Sequence, residues 1–164
     1  MPFVTKPKNL EGWVGDVGFD PLGFSEYFDM KWLREAEIKH GRIAMAAVVG
    51  WITTDLGVIV HPLGKGLSSV AAHDAMVENG VMGNALVFIG LFEMVGYLAV
   101  SEMLQGSGRE PGYFNFGSKF LEGKSEAEVK KFKYNEIMNG RLAMMAISGI
   151  ATQSVLFDKG FPYF

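Results

Sequence analysis

The sequence contains no cysteine. That excludes disulfides, thiolate metal sites, iron–sulfur clusters and thiol nucleophiles together. Strong net charge is also lacking. Fifteen Lys and Arg stand against 18 Asp and Glu, leaving −3 at pH 7, with no basic stripe. No nucleic-acid partner is expected from such a balance. There is no nucleophile–base pair and no phosphate-binding loop. The Gly-x-Gly of Gly106-Ser107-Gly108 follows an apolar helix and reads as a turn. An enzyme is therefore not expected. Met1 to Leu10 lack an apolar core and are not rich in Arg or Ser, so no signal or transit peptide is expected there. Missing last is any clean apolar run long enough to cross a bilayer, which takes about 20 residues.

What is present comes close to such runs. The chain is 49% hydrophobic, with 21 glycines and 10 methionines in 164 residues, and its mean hydropathy is +0.17. Glycine at this level, without a collagen-like period, fits close helix packing or many turns. One domain, 1–164, is expected, with three spans at about 31–60, 81–104 and 131–157. Each is interrupted: the first by Asp55, the second by Glu93, and the third by small residues up to Gln153. Basic residues favour three crossings. Thirteen of the 15 lie before or at the start of the first span, or between the second span and the start of the third. The connection His61–Gly80 holds only Lys65, and the tail only Lys159. Three crossings put the 13 on one side, as the positive-inside rule requires. The expected fold is an all-α membrane protein with three transmembrane helices.

The strongest signal is an internal repeat. Glu37-Ile38-Lys39-His40-Gly41-Arg42-Ile43-Ala44-Met45-Ala46-Ala47-Val48-Val49-Gly50 aligns without gaps to Glu136-Ile137-Met138-Asn139-Gly140-Arg141-Leu142-Ala143-Met144-Met145-Ala146-Ile147-Ser148-Gly149, with 8 of 14 positions identical. With one span between them, both copies run in the same direction, so a pseudo-two-fold axis along the membrane normal relates them. Within each copy, Glu and Arg are five residues apart. On a helix that is about 140° past a full turn, and pairing prefers a spacing of three or four. Symmetry offers the better partners, Glu37 with Arg141 and Glu136 with Arg42. Gly41, Ala44, Ala47, Gly140, Ala143 and Ala146 allow the close approach this needs. Two ion pairs that staple two helices explain this much. They leave over His40 and Asn139, which share one position of the repeat and each carry a lone pair. A hydrogen-bonding pair is one use for them. Axial ligation of a metal that is already chelated is the other.

The motifs Glu-x-x-His-Gly-Arg-x-Ala-Met-x-Ala (Glu37 to Ala47) and Glu-x-x-Asn-Gly-Arg-Leu-Ala-Met (Glu136 to Met144) resemble the paired motifs of the light-harvesting complex superfamily. Gly15-Asp16-Val17-Gly18-Phe19-Asp20-Pro21-Leu22-Gly23-Phe24-Ser25 is similar to that family's N-terminal segment. The resemblance runs from about Gly15 to the C-terminus. It implies chlorophyll magnesium on Glu37, His40, Glu136 and Asn139, and on Gln153 further along the third helix. It also implies two carotenoids, xanthophylls, in the grooves of the crossed helices, one of them held by the Phe-Asp-Pro-Leu-Gly turn. The second repeat departs from the pattern, reading Tyr113-Phe114-Asn115-Phe116-Gly117 where that turn is expected. The C-terminal helix of green-plant antennae, with its histidine ligand, is not expected here. Short loops and the ending Gly160-Phe161-Pro162-Tyr163-Phe164 look more like red-lineage antennae, of the fucoxanthin-chlorophyll or red-algal photosystem I type. Ala72-His73-Asp74 and Gly106–Gly112 look most like the group that serves photosystem I.

Other candidates rest on placement. Glu93 is a carboxylate inside a span, with no basic partner in its own helix, and is a ligand candidate by default. Glu102 near the membrane edge and His73 in the His61–Gly80 connection are further candidates, with His61 behind them. Asp55 is read as reaching the interface. The resemblance implies an antenna in the plastid thylakoid membrane, multi-pass and with a stromal N-terminus. It implies chlorophyll a, with chlorophyll c as the accessory candidate, and as partners a photosystem core, neighbouring antenna subunits and thylakoid lipids. A photoprotective quencher of the same superfamily is the alternative, and a small membrane transport module the remote one.

Overall fold

The computed structural model describes residues 6–163; Met1–Thr5, part of the segment read as lacking a leader, and Phe164 lie outside the described residues. Among the described residues the ordered elements are all helical. They are α1 (Phe24–Tyr27), α2 (Met30–Asp55), α3 (Ser69–Glu78), α4 (Val81–Leu104) and α5 (Glu126–Phe157), with single 3-10 turns at Lys8–Leu10, Pro62–Gly64 and Ser118–Phe120. By length and apolarity, α4 and α5 are each sufficient to cross a membrane. α2 falls short, because Lys31, Arg34, Glu35, Glu37, Lys39 and Arg42 crowd its first half.

The middle helix has the bounds expected from the sequence. The other two long helices do not, for local reasons. α2 stops at Asp55, short of Val60. Gly57 turns left-handed at φ 88°, and the amides of Gly57 and Val58 donate back to the carbonyls of Thr54 and Thr53 at 2.9 and 3.0 Å. α5 starts at Glu126 rather than near 131. The Ser125 amide donates to Glu128 Oε2 at 2.9 Å, and the Glu128 amide donates to Ser125 Oγ at 3.4 Å, a reciprocal capping box.

The chain divides into two compact units, Met1–Arg42 with Ala99–Arg141, and Ile43–Leu98 with Leu142–Phe164. In the first, α2 and α5 meet backbone to backbone near the middle of each helix. A Cβ added to Gly41 would lie 2.9 Å from Gly140 Cα, and one on Gly140 would lie 3.0 Å from Gly41 Cα. Only glycine fits either position. The N-terminal loop of this unit is held by carboxylates. Asp20 accepts from the amides of Phe24 and Ser25 and from the Ser25 hydroxyl, at 3.1, 2.9 and 2.6 Å. The Ser25 hydroxyl first, then the two residues' amides, hold the Asp20 carboxyl below its ordinary pKa. Asp16 pairs with Lys6 at 2.6 Å and is lowered mainly by that contact.

In the second unit, α3 fills the connection that the sequence leaves as a loop. Its first amide, Ser69, donates to Asp55 Oδ1 at 2.7 Å, while the Ser69 hydroxyl donates to the Trp51 carbonyl at 2.8 Å. Asp55 therefore helps to cap α3. Tyr163 is buried, and its hydroxyl approaches the Asp55 carboxylate without closing a well-aligned hydrogen bond. Burial first, and that carboxylate second, push the phenol up to about 12.

Very little apolar surface is covered. Among the described residues the buried apolar set is Ala44, Ala72, Met103, Ile137, Ala143 and Tyr163. Phe92 is 76% exposed, Met145 75% and Tyr97 71%, and most large side chains of α4 are similarly open. Water does not tolerate a contiguous apolar surface of that extent, and a lipid or bound apolar ligand does.

Candidate functional site

The repeat builds its site in the first unit, where α2 meets α5. Arg141 Nε donates to Glu37 Oε1 at 2.8 Å, and Arg42 Nε donates to Glu136 Oε1 at 2.7 Å. Both pairs run between helices, and the five-residue partner within each repeat is not used. Each arginine also uses its Nη1. Arg141 donates to the Gly15 carbonyl at 2.8 Å, and Arg42 to the Gly112 carbonyl at 2.7 Å. Gly15 and Gly112 match in backbone as well, with φ of 78° and 76°. A Cβ on Gly15 would meet Ile137 Cγ2 at 3.1 Å, and one on Gly112 would meet Ile38 Cδ1 at 2.8 Å. Ile38 and Ile137 are themselves equivalent in the repeat. The symmetry thus extends beyond the helices into the loops that precede them. Sequence reading misses this, since a backbone carbonyl acceptor leaves no side-chain signature.

His40 and Asn139 sit on exposed helix surface beside the ion pairs. His40 Nδ1 lies 2.7 Å from the Ala36 carbonyl. A carbonyl accepts only, so Nδ1 carries the proton and Nε2 keeps an outward lone pair. Asn139 Nδ2 donates to the Asn135 carbonyl at 2.8 Å, which leaves Oδ1 as the open acceptor. The same bond, one turn back along each helix, orients both side chains. A second hydrogen bond that fixes the tautomer or rotamer is the usual support of a metal ligand.

The two glutamates differ. Glu136 commits Oε1 to Arg42 and leaves Oε2 open. At Glu37, Oε2 also lies 2.9 Å from Nη1 of the buried Arg34, a charge contact whose angle falls short of a hydrogen bond. The ion pair thus leaves one carboxylate oxygen open at Glu136. At Glu37 the second oxygen offers only its remaining lone pair. A cavity of about 1000 Å³ adjoins Glu136, with Trp13, Phe114, Phe116 and Phe132 among its walls.

The remaining candidates are dispersed. Glu93 lies on the exposed face of α4 beside Gly90, Met94, Tyr97 and Leu98, which form a shallow recess of about 450 Å³. Glu102 and Gln153 are exposed near the C-terminal ends of α4 and α5. His73 lies on α3 rather than in a loop, with Nδ1 3.1 Å from Asp74 Oδ1. His61 caps the turn at Pro62–Gly64, its Nδ1 accepting from the Leu63 amide at 3.3 Å, which is a structural use. Among the described residues no three His, Asp or Glu gather as a metal cage. A metal held by any one of these side chains needs its other ligands from elsewhere, and a ring-chelated magnesium brings four of them.

Comparison with known proteins identifies the family. Residues 6–155 match the family described as chlorophyll A-B binding protein. The chain is 32% identical to photosystem I chlorophyll a/b-binding protein 5, chloroplastic, of Arabidopsis thaliana, across 98% of this chain and 71% of that protein. It is 34% identical to a fucoxanthin-chlorophyll a-c binding protein, chloroplastic, of Trieres chinensis, across 84% of this chain and 73% of that one. It is 30% identical to light-harvesting complex stress-related protein 1, chloroplastic, of Chlamydomonas reinhardtii, across 95% and 64%. With cross-paired repeats and single spare donors beside them, this chain belongs to the chlorophyll A-B binding protein family.

Proposed function

We propose that the chain is a thylakoid antenna protein that holds chlorophyll and carotenoid and passes excitation to a photosystem core. The observation that carries this reading is the pairing at the crossing: two Glu–Arg pairs, and beside each a side chain with one outward lone pair, His40 Nε2 and Asn139 Oδ1. Glu37, Glu136, His40 and Asn139 would each hold one chlorophyll magnesium, and Gln153, Glu93, Glu102 and His73 complete the proposed set. When bound, chlorophyll supplies absorption and excitation transfer, and no bond chemistry falls to the protein. The chain's own part is geometric. The arginines neutralise the ligating carboxylates so that these can lie in a membrane, and the glycine contact fixes the angle between helices.

In this reading α2, α4 and α5 all cross the membrane. α2 has 26 residues, a length of about 39 Å at 1.5 Å per residue, against about 30 Å of hydrocarbon. Of its charges, Glu37 and Arg42 pair across the crossing, Glu35 pairs with Arg109, and Arg34 lies against Glu37. A pseudo-two-fold axis along the membrane normal would relate α2 to α5, and the basic asymmetry would put the N-terminus on the stromal side. Resemblance to the fucoxanthin-chlorophyll relative supports chlorophyll a with chlorophyll c and xanthophylls. Resemblance to the photosystem I relative supports that photosystem as partner, and neighbouring antenna subunits and thylakoid lipids complete the proposed partners. A second reading, energy quenching, is favoured by the stress-related relative.

Pigment extraction from the purified native protein, with its fluorescence excitation spectrum set beside its absorption, tests the reading. Several chlorophylls per chain, with carotenoid absorption sensitising chlorophyll emission, are expected. Strongly shortened fluorescence would favour quenching. A colourless folded protein would overturn both.

A further inference from the structure

The Glu136 site has a support that the Glu37 site lacks. Glu35 is only 4% exposed. Its Oε2 accepts from the Gly112 amide at 2.6 Å and from Arg109 Nη2 at 2.9 Å. Arg109 in turn binds the loop by backbone, its Nε donating to the Ala99 carbonyl at 3.2 Å and its Nη1 to the Tyr113 carbonyl at 2.8 Å. Its guanidinium also stacks 4.7 Å from the centre of the Phe114 ring. Gly112 is therefore held on both sides: Glu35 takes its amide, and its carbonyl takes Arg42. Arg42 then holds Glu136. Five groups form one chain of charge-assisted contacts, Arg109–Glu35–Gly112–Arg42–Glu136.

The repeat makes this arrangement one-sided. The position equivalent to Glu35 is Tyr134, which is 44% exposed. The loop before the first repeat relies instead on Asp16, Asp20 and Lys6. The loop before the second repeat has no Phe-Asp-Pro-Leu-Gly turn, and Arg109 with Glu35 occupies that structural role.

We propose that Glu35 and Arg109 are positioning residues for the pigment ligand Glu136, acting through Gly112 and Arg42, and that they leave the Glu37 site untouched. The proposal rests on the reading of Glu136 as a chlorophyll ligand. Its logic is that of outer-shell control, in which a buried hydrogen-bond partner sets ligand orientation and so the properties of what is bound.

The test uses the full chain reconstituted with pigments. Glu136→Leu and Glu37→Leu, which remove the ligating oxygens, first locate the red absorption band of each site at low temperature. Glu35→Gln keeps an acceptor for Gly112, while Arg109→Lys keeps the charge and loses the fork. Both should shift the Glu136 band with no loss of chlorophyll, and both should leave the Glu37 band in place. In Glu35→Gln, where a neutral acceptor replaces the carboxylate, amide exchange of the loop peptide containing Gly112 should rise roughly tenfold, the difference between a charge-assisted and a neutral hydrogen bond. Equal movement of both bands would mean a merely structural role and overturn the proposal, as would two unmoved bands with unchanged exchange. A Glu136→Leu protein that keeps its full chlorophyll complement overturns the ligand reading alone, and exchange at Gly112 then decides whether the staple stands.

Discussion

At Glu37 two arginines meet the carboxylate, Arg141 from α5 and Arg34 from its own helix. At Glu136 Arg42 is the cation in contact, because Lys133, which stands at Arg34's place in the second repeat, is bonded to Glu110. The two halves share helix spacing, crossing glycines and the backbone acceptors Gly15 and Gly112. They differ in how the charge is balanced and how the loop is anchored. Equivalent backbone contacts therefore do not entail equal sites: Glu136 has the more open carboxylate and is the one whose charge is met by a single arginine.

Removing that arginine should have the largest effect. Arg42→Leu leaves Glu136 without a cation in contact, at a cost on the order of 3 kcal/mol for an uncompensated charge within a bilayer. Arg141→Leu leaves Glu37 with Arg34. Thermal loss of the pigmented complex should therefore come at lower temperature in Arg42→Leu than in Arg141→Leu, and the reverse order would break the comparison. Next comes the contact that the halves share. Gly41→Ala and Gly140→Ala each force a methyl to within about 3 Å of the opposite backbone. Overpacking of this kind costs about 1–3 kcal/mol, and both variants should lower the melting temperature by similar amounts. Unequal losses would show that the crossing is not symmetric in energy.

The smallest effect belongs to the first loop. The folded Asp20 pKa is depressed below its ordinary 3.8, so the cap stabilises above that value and is lost as pH falls through the lower folded one. Asp20→Asn should be less stable than the parent at pH 7, and the gap should begin to narrow as pH falls below 3.8 and close only below the lower folded value, where the parent's folded carboxylate protonates. Melting curves of the two proteins at pH 7 and below that value check this. A gap that persists in acid would remove the carboxylate from the account.

Much of the crossing was legible in the sequence, because an ungapped repeat fixes symmetry and a five-residue Glu–Arg spacing excludes the intrahelical alternative. What lay beyond reach shares one physical trait: it involves groups that carry no pattern. Gly15 and Gly112 contribute carbonyls. Glu35 and Arg109 are distant in sequence and sit in no periodic run. α3 is a short helix whose start is set by Asp55, itself an interruption in an apolar stretch. Lys133 and Arg34 look equivalent until Glu110 claims one of them.

The central claim is that the repeat places one spare donor beside each ion pair in order to hold chlorophyll. Counting chlorophyll per polypeptide in reconstituted parent protein and in His40→Leu/Asn139→Leu tests it most directly, since both side chains are exposed and neither carries the helix contact. The account predicts a folded double variant with two fewer chlorophylls. An unchanged count would contradict it and reduce the two donors to surface hydrogen bonds.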